Sequence, residues 1–498
     1  MLYSSFRVRG VRAIRACDVI MTARRGGTIM STSTPIPIPI MPIWVPEPTA
    51  IPDEATPTTD KKYYIWTIGC QMNVAESNQM AAAFQHAGLG AAKTEAEADV
   101  IVLNSCVVRQ ASEDKVKGKI GSLYKLKRAN PDLKIALTGC MATKHEEELM
   151  KQFPVLDLVF EPAALEELGR IVPEMDDDLV TLPHYYLPEH TAPEVTAFIP
   201  IIMGCNKVCS YCIVPYRRGK ERSRPIADLQ AEVHALAARG VREVTLLGQI
   251  VDRYGYDFKD GTDLADLLQA IHDTPGLDRI RFLTSHPAYM SERIVHAVAD
   301  LPKVCEHINL PVQAGDDEVL RRMRRNYTAN DYRRQIAAIR TIMPETTIAT
   351  DIIVGFCGEM EGQFESTLRL LDDVRCDVTH VAMYSPRKGT ASARWDDDVP
   401  REVKLARHQA VERLQERVSQ EHNDQLVGRE MEVLVDGQGD GRWRGRTRGN
   451  KLVFFEDSAN RLGQMVHVRI ARATPWFLQG ELTKIEGVPL ATSAGATA

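Results

Sequence analysis

With 498 residues, 44% apolar and 26% charged, the chain is long enough for two to four domains and too ordinary in composition to be fibrous or disulfide-stapled. Its 61 Lys and Arg against 67 Asp and Glu give a formal charge of -6, which excludes a uniformly basic nucleic-acid coat but allows a local basic face. Apolar runs in the body are shorter than the roughly 18 to 20 residues of a membrane-spanning helix, and ten cysteines with no secretory h-region ahead of them indicate a reducing, cytoplasmic setting in which thiols are available as ligands.

Residues 1–58 carry an Arg-bearing opening and the alternating prolines Ile36-Pro37-Ile38-Pro39-Ile40, which forbid helix and predict a disordered extension. Either a transit peptide or a start site placed too far upstream of Met21, Met30 or Met41 would look like this. From Lys61 the pattern becomes βα alternation, with predicted strands Tyr63–Ile68, Val100–Leu103, Lys134–Leu137 and Leu156–Phe160. Between the first two, Met80, Phe84 and Ala87 share a helix face. This predicts a doubly wound α/β domain over 61–175.

A Pro- and acid-rich linker, Pro173–Pro193, precedes a second βα series with strands at Phe198–Met203, Glu243–Leu247, Arg279–Leu283, His307–Leu310, Thr347–Val354 and Thr379–Tyr384. Six units are fewer than the eight of a closed barrel, so a partial (β/α)6 barrel with a C-terminal helix is predicted over 195–425. Short strands with Gly-rich turns then predict a small all-β barrel over 427–485, followed by a loose tail, 486–498.

Cys205-Asn206-Lys207-Val208-Cys209-Ser210-Tyr211-Cys212 places three thiols in one loop directly after the first barrel strand. Three thiolates can hold three irons of a 4Fe-4S cluster and leave the fourth open to a substrate or cofactor at the reactive mouth. The competing reading is half of a zinc site, although no second Cys or His pair follows at finger-like spacing. The other strand ends carry Gly248-Gln249, Ser285-His286 and Gln313, a polar rim suited to a ligand; for His286, capping a loop backbone is an equal explanation.

Cys70, Cys106 and Cys140 lie 36 and 34 residues apart, each just after a predicted strand. In an open parallel sheet such positions converge on the edge where ligands bind, so these thiols are predicted to share a second cluster. Gly69 and Gly139 would permit close backbone approach there. Cys17, Cys305 and Cys376 read as small buried residues, and Cys357 as a tolerated loop thiol.

The Cys205–Cys212 spacing resembles the radical S-adenosylmethionine (radical SAM) superfamily. Gly69-Cys70-Gln71-Met72-Asn73, Asn104-Ser105-Cys106, Gly139-Cys140-Met141-Ala142, Val214-Pro215-Tyr216-Arg217-Arg218-Gly219 and Gly445-Arg446-Thr447-Arg448 resemble the MiaB branch of the methylthiotransferase family. The resemblance implies an N-terminal methylthiotransferase domain, a radical SAM barrel and a C-terminal TRAM domain. It also implies two 4Fe-4S clusters: one on Cys205, Cys209 and Cys212 that binds S-adenosylmethionine, and an auxiliary one on Cys70, Cys106 and Cys140 that delivers sulfur. Tyr211, Gly248, Gln249, Ser285 and Gln313 become the expected S-adenosylmethionine contacts. The implied reaction is methylthiolation at C2 of N6-isopentenyladenosine at position 37 of tRNA.

Expected partners are the tRNA anticodon stem-loop and an electron donor such as flavodoxin or ferredoxin, with no membrane and a monomeric protein. No acid–base residue is assigned to catalysis. Residues 427–484 hold ten Lys or Arg against seven Asp or Glu, a surplus of three. Within them Trp443, Arg444, Arg446, Arg448 and Lys451 are the expected RNA contacts, by base stacking and phosphate binding. The basic run Arg321–Arg325 could track RNA or simply cover a helix. Two alternatives stay open: a ribosomal-protein aspartate methylthiotransferase of the same architecture, and a non-enzymatic iron-sulfur sensor that binds RNA.

Overall fold

The computed structural model describes residues 59–107, 110–142, 146–162, 164–173, 175 and 194–485. The expected extension over 1–58, most of the Pro173–Pro193 linker, Cys17 and the tail lie outside these residues.

The first βα series comprises β1 (Lys62–Thr67), α1 (Gln71–His86), β2 (Gly90–Ala91), β3 (Val100–Ser105), α2 (Gln110–Ala129), β4 (Lys134–Gly139), α3 (Glu146–Gln152) and β5 (Leu158–Val159). The strands form one parallel sheet in the order β2-β1-β3-β4-β5. Every residue of β3 is buried, as a central strand covered on both faces by helices requires. Strand order reverses between β1 and β3, so the crevice beyond their carboxyl ends is the place for a ligand. Cys70 and Cys106 follow those two strands.

The second series runs through β6 (Thr196–Pro200), β7 (Ile202–Met203), α4 (Val214–Arg218), β8 (Arg222–Ser223), α5 (Ile226–Ala238), β9 (Glu243–Leu247), α6 (Leu264–His272), β10 (Arg279–Phe282), α7 (Glu292–Asp300), β11 (His307–Asn309), α8 (Asp317–Arg322), α9 (Ala329–Ile342), β12 (Thr347–Val354), α10 (Glu361–Val374), β13 (Val378–Met383) and α11 (Arg401–Asp424). Strands β6, β9 and β10 pair in parallel, as do β11, β12 and β13. An isolated parallel bridge, Ile280 to Val304, joins the two triplets. Among the described residues no ladder joins β6 to β13, so the six-stranded barrel is open on that side. Its core is continuous, with Ile199, Val244, Leu246, Ile280, Phe282, Ile308, Ile348 and Ile352 in one cluster.

The expected strand Phe198–Met203 is in fact two. Pro200 has no N–H to continue a ladder, and Ile202–Met203 turns away to pair antiparallel with Arg222–Ser223.

The last unit is a closed antiparallel-rich barrel of β14 (Glu430–Gly439), β15 (Arg442–Thr447), β16 (Leu452–Phe455), β17 (Met465–Ala473) and β18 (Leu478–Ile485), ordered β14-β15-β16-β18-β17. Strand β15 alternates Arg442, Arg444 and Arg446 with the more buried Trp443, Gly445 and Thr447. The turn between β15 and β16 docks on the starts of the large barrel's strands. Arg281 donates to the carbonyls of Thr447 (2.6 Å) and Arg448 (2.5 Å), and Thr347 Oγ1 to Gly449 O (2.9 Å). Arg448 pairs with Glu306, just ahead of β11, and Lys451 with Asp377, just ahead of β13. The small barrel therefore sits at the amino-terminal rim of the large one, opposite the carboxyl ends where Cys205–Cys212 lie.

Candidate functional site

At the carboxyl rim, Cys212 N–H donates to Cys209 O (3.1 Å), closing the loop into a turn that brings the thiols together. Lys207 N–H points at Cys205 Sγ (3.4 Å) and Arg325 Nη1 at Cys209 Sγ (3.6 Å). Burial pushes the Cys205 thiol up to about 11, with Cys209 adding to the effect. Burial followed by Cys209 pushes Cys212 up to about 12. Thiols this close, with donors aimed at two of the sulfurs, suit a site in which each thiolate takes a separate iron and a bound cation draws off the protons.

Beside the trio, four buried polar atoms have no partner in the protein: Gln249 Oε1, Asp252 Oδ1, Ser285 Oγ and His286 Nε2. They come from the loops after β9 and β10, two adjacent strands. Isolated buried polar atoms cost about 1–3 kcal/mol each, so a group of four marks a polar ligand's place. Thr284 and Gln313, at neighbouring strand ends, hold φ of 69° and 75°, sparsely populated for side chains with a Cβ and typical of backbone shaped around a ligand. Tyr211 lies edge-on to Phe356, ring centroids 6.4 Å apart. At Gly248 a Cβ would stand 2.4 Å from Ile202 Cγ2, so that glycine is a packing requirement of the loop.

His286 and Asp252 were not assigned to this site by the sequence, His286 because backbone capping explained it equally well. Its Nδ1 does accept from Ala288 N–H (3.1 Å), while its Nε2 is one of the unpartnered atoms. Burial, then Arg325, Lys207 and Arg253, hold the imidazole down at about 2, so it is neutral. Burial lifts Asp252 to about 7 from an ordinary 3.8. Between those values the folded protein holds a proton that the unfolded chain has released, so this group makes stability fall as pH rises from about 4 to about 7 and leaves it level above. Asp252→Asn is expected to remove up to about 4 kcal/mol of that fall. Urea denaturation of the metal-free protein at pH 4, pH 5 and pH 8 should show the variant gaining little on the parent at pH 4, more at pH 5 and most at pH 8.

The other three thiols meet at the switch-point crevice. Cys70 is the N-cap of α1, and Asn73 Oδ1 accepts from its backbone N–H (3.2 Å). Asn73 also donates to Asn104 Oδ1 (2.8 Å), and Asn104 donates to Ser77 (3.0 Å), tying the end of β3 to α1. A Cβ at Gly69 would stand 2.9 Å from Cys106 Cβ, and one at Gly139, where φ is 87°, would fall 2.2 Å from Ser105 O. Both glycines are thus required for the thiols to approach. Burial raises the Cys140 thiol, and Cys70 is among the charges it feels. Met72 and Ala75 on α1 pack against Leu247, the last residue of β9, which lays this crevice over the carboxyl rim of the barrel.

Two arginines from the large barrel complete the junction. Arg218 Nε donates to Cys140 Sγ (3.3 Å), and the same guanidinium pairs with Glu76 on α1. Arg387 pairs with Val107 O and with Glu113 Oε2 (2.9 Å), next to Cys106. Both thiol trios therefore face one junction. The signal for Glu76 was present in the sequence: at i+4 from Met72 and i−4 from Met80 it puts a carboxylate on the buried stripe of α1.

The expected RNA hairpin needs correction. Trp443 is only 7% exposed, packs in the small-barrel core, and donates its indole N–H to Asp457 O (3.2 Å). Arg444 pairs with Asp436, Arg446 is half-buried and bonded to Asn450 O (3.1 Å), and Arg448 and Lys451 are spent on the large barrel. The end of this hairpin is a docking surface, where Arg448 and Lys451 give their charges to Glu306 and Asp377 of the large barrel, while Arg444 and Arg446 are held by Asp436 and Asn450 of their own barrel. Of the basic run, Arg325 is buried at the cluster loop, while Arg321 pairs with Glu318 on the surface. Cys305 and Cys376 are buried as expected; Cys357 is buried too, against Phe356 and Tyr384.

Three family models match the chain: "Uncharacterized protein family UPF0004" over residues 62–161, "Radical SAM superfamily" over 199–371, and "TRAM domain" over 424–483. Among curated relatives, a protein of Herpetosiphon aurantiacus named tRNA-2-methylthio-N(6)-dimethylallyladenosine synthase is 46% identical over 84% of this chain and 97% of its own length. Proteins of the same name from Chloroflexus aurantiacus and Dehalococcoides mccartyi are 45% and 46% identical, covering 86% and 85% of this chain and 93% and 99% of theirs.

Proposed function

From the premise that this chain belongs to the MiaB-type methylthiotransferase family, a radical SAM family of tRNA-modifying enzymes, we propose that it attaches a methylthio group to C2 of N6-dimethylallyladenosine beside the anticodon of tRNA. The observation that carries the reading is the pair of three-thiol sites facing one junction, one of them beside a rim of unpartnered polar atoms. The proposed ligands are Cys205, Cys209 and Cys212 for one 4Fe-4S cluster and Cys70, Cys106 and Cys140 for the other. Gln249, Asp252, Ser285, His286 and Gln313 are the proposed contacts of S-adenosylmethionine, with Tyr211 close by. When bound, these groups supply the one-electron chemistry, sulfur and methyl group that protein side chains lack. The residues bind and orient the cofactor and keep its neighbours uncharged: His286 stays neutral, and with Nδ1 accepting from Ala288 N–H its Nε2 carries the proton and can donate a hydrogen bond without adding a second cation near a sulfonium.

The relatives' names favour tRNA over a ribosomal-protein substrate, and an iron-sulfur sensor would have no use for the polar rim. We place the protein in the cytoplasm as a monomer, with flavodoxin or ferredoxin as reductant. Mass spectrometry of tRNA nucleosides from a deletion strain should show 2-methylthio-N6-dimethylallyladenosine replaced by its unthiolated precursor. An unchanged nucleoside profile would remove the reading.

With the hairpin turned inward, the proposed RNA contact moves to the rim. Tyr256 is 52% exposed, and Arg253 lies between its ring (4.5 Å) and that of Tyr289 (4.6 Å). Lys207 Nζ donates to Tyr289 Oη (2.6 Å), a phenol that leaves its charge available for a phosphate. An open tyrosine face beside a cation is how unpaired bases are held. On the outer wall of the small barrel, Arg442 over Phe454 and the exposed Trp476 offer a second contact toward the stem. Tyr256→Ala should weaken binding of an anticodon stem-loop about tenfold in a filter or fluorescence assay, and Tyr256→Phe should leave it unchanged.

A further inference from the structure

Arg218 ends α4, six residues after Cys212, yet its side chain is spent on the other thiol trio. Its Nε donates to Cys140 Sγ at 3.3 Å, and its two terminal nitrogens both reach the Glu76 carboxylate. The guanidinium is 5% and the carboxylate 4% exposed. Burying such a pair is costly, and removing one partner strands the other.

A clamp between the domains does not need this arrangement. Arg387 already supplies one through Val107 O and Glu113. What distinguishes Arg218 is the donor aimed at a ligand sulfur. The planar fork lets one cation hold both carboxylate oxygens and still present Nε to the thiol, a fixed geometry that a lysine's ammonium lacks.

We propose that Arg218 is a positioning residue that sets the electron affinity of the centre held by Cys70, Cys106 and Cys140, through its N–H···S bond to Cys140, with Glu76 as the opposing charge that tempers it. This rests on the two-cluster reading above. Hydrogen bonds and positive charge at a ligand sulfur favour the more negative, reduced state, and burial strengthens both. The structure thus gives the two members of one ion pair opposite signs of effect on a single cluster: Arg218 makes it easier to reduce and Glu76 makes it harder. The loop that carries Cys205, Cys209 and Cys212 leads directly into Arg218, so the residue also ties the geometry of one centre to the electronics of the other.

The test is a potentiometric titration with dithionite, which supplies the single electron, followed by electron paramagnetic resonance. The protein is the full chain with Cys205, Cys209 and Cys212 all changed to Ala, reconstituted anaerobically so that only one cluster signals. Arg218→Met should lower the electron affinity tenfold or more, about 59 mV for a one-electron couple, at unchanged iron content. Glu76→Gln should shift the midpoint in the opposite direction, and Arg218→Lys should fall between parent and Arg218→Met. The opposite sign of Glu76→Gln carries the proposal even if Arg218→Met proves too unstable to load. A midpoint that stays put in a fully loaded Arg218→Met protein, or that moves the same way in Arg218→Met and Glu76→Gln, would overturn it. If the parent binds no iron at this trio, the two-cluster reading itself fails, and the iron count reveals that before any titration.

Discussion

Cys209→Ala is expected to abolish reductive cleavage of S-adenosylmethionine, while Cys106→Ala leaves cleavage intact and stops methylthiolation of tRNA. The two residues belong to different trios. Cys209 is the middle thiol of the rim loop, acts on the titration of both Cys205 and Cys212, and accepts from Arg325. Its loss leaves two thiolates where three irons need one each. Cys106 lies in the crevice of the parallel sheet, its Cβ against Gly69.

Each variant should retain about four irons where the parent holds about eight. Chromatography of 5'-deoxyadenosine and nucleoside mass spectrometry read the two activities separately. Cys376→Ala is the control: that thiol is buried in the barrel core beside Tyr332, and its replacement should change neither iron content nor products. Equal loss of both activities in Cys106→Ala would mean that the trios do not act as separate centres.

Much of this was legible in the sequence because βα repetition is a strong local signal. Cys70, Cys106 and Cys140 could be placed on one sheet edge from their spacing alone, since a parallel sheet puts every strand's carboxyl end on the same side. The rim residues Gln249, Ser285 and Gln313 could be anticipated for the same reason. Arg218 and Glu76 could not be paired, because residues 142 positions apart meet only through the docking of one domain on another. The hairpin at 443–451 misled for a related reason. Arginines beside an aromatic carry the same pattern whether they face RNA or a second domain, and only the presence of Arg279, Glu306 and Asp377 opposite them decides.

Arg281→Met is expected to destabilise the protein by about 3–5 kcal/mol and to impair tRNA modification, yet to spare S-adenosylmethionine cleavage in the fraction that remains folded. Arg281 is 3% exposed and holds Glu243 (2.8 Å) while gripping two carbonyls of the β15–β16 turn. Two residues earlier on the same face of β10, Arg279 is fully buried and reaches Arg446 O (2.6 Å) and Glu432 Oε1 (2.7 Å). Without Arg281, the Glu243 carboxylate keeps Arg279 Nη1, at 3.9 Å, as its charged partner, the Arg448 carbonyl loses its side-chain donor, and the Thr447 carbonyl keeps the Asn450 N–H alone (2.9 Å). Urea denaturation of Arg281→Met, Glu243→Gln and the double variant should show the double costing well below the sum of the singles, because each single leaves a partner buried alone.

The activity split follows from position. Arg279 and Glu243 start their strands, whereas Cys205–Cys212, Gln249 and Ser285 follow strand ends, so the docking network and the cluster loop occupy opposite rims. A small barrel fixed at one rim and a reactive rim at the other suit an elongated substrate that touches both, as a tRNA would. If Arg281→Met lost S-adenosylmethionine cleavage at full stability, the two rims would be coupled in a way this architecture does not provide.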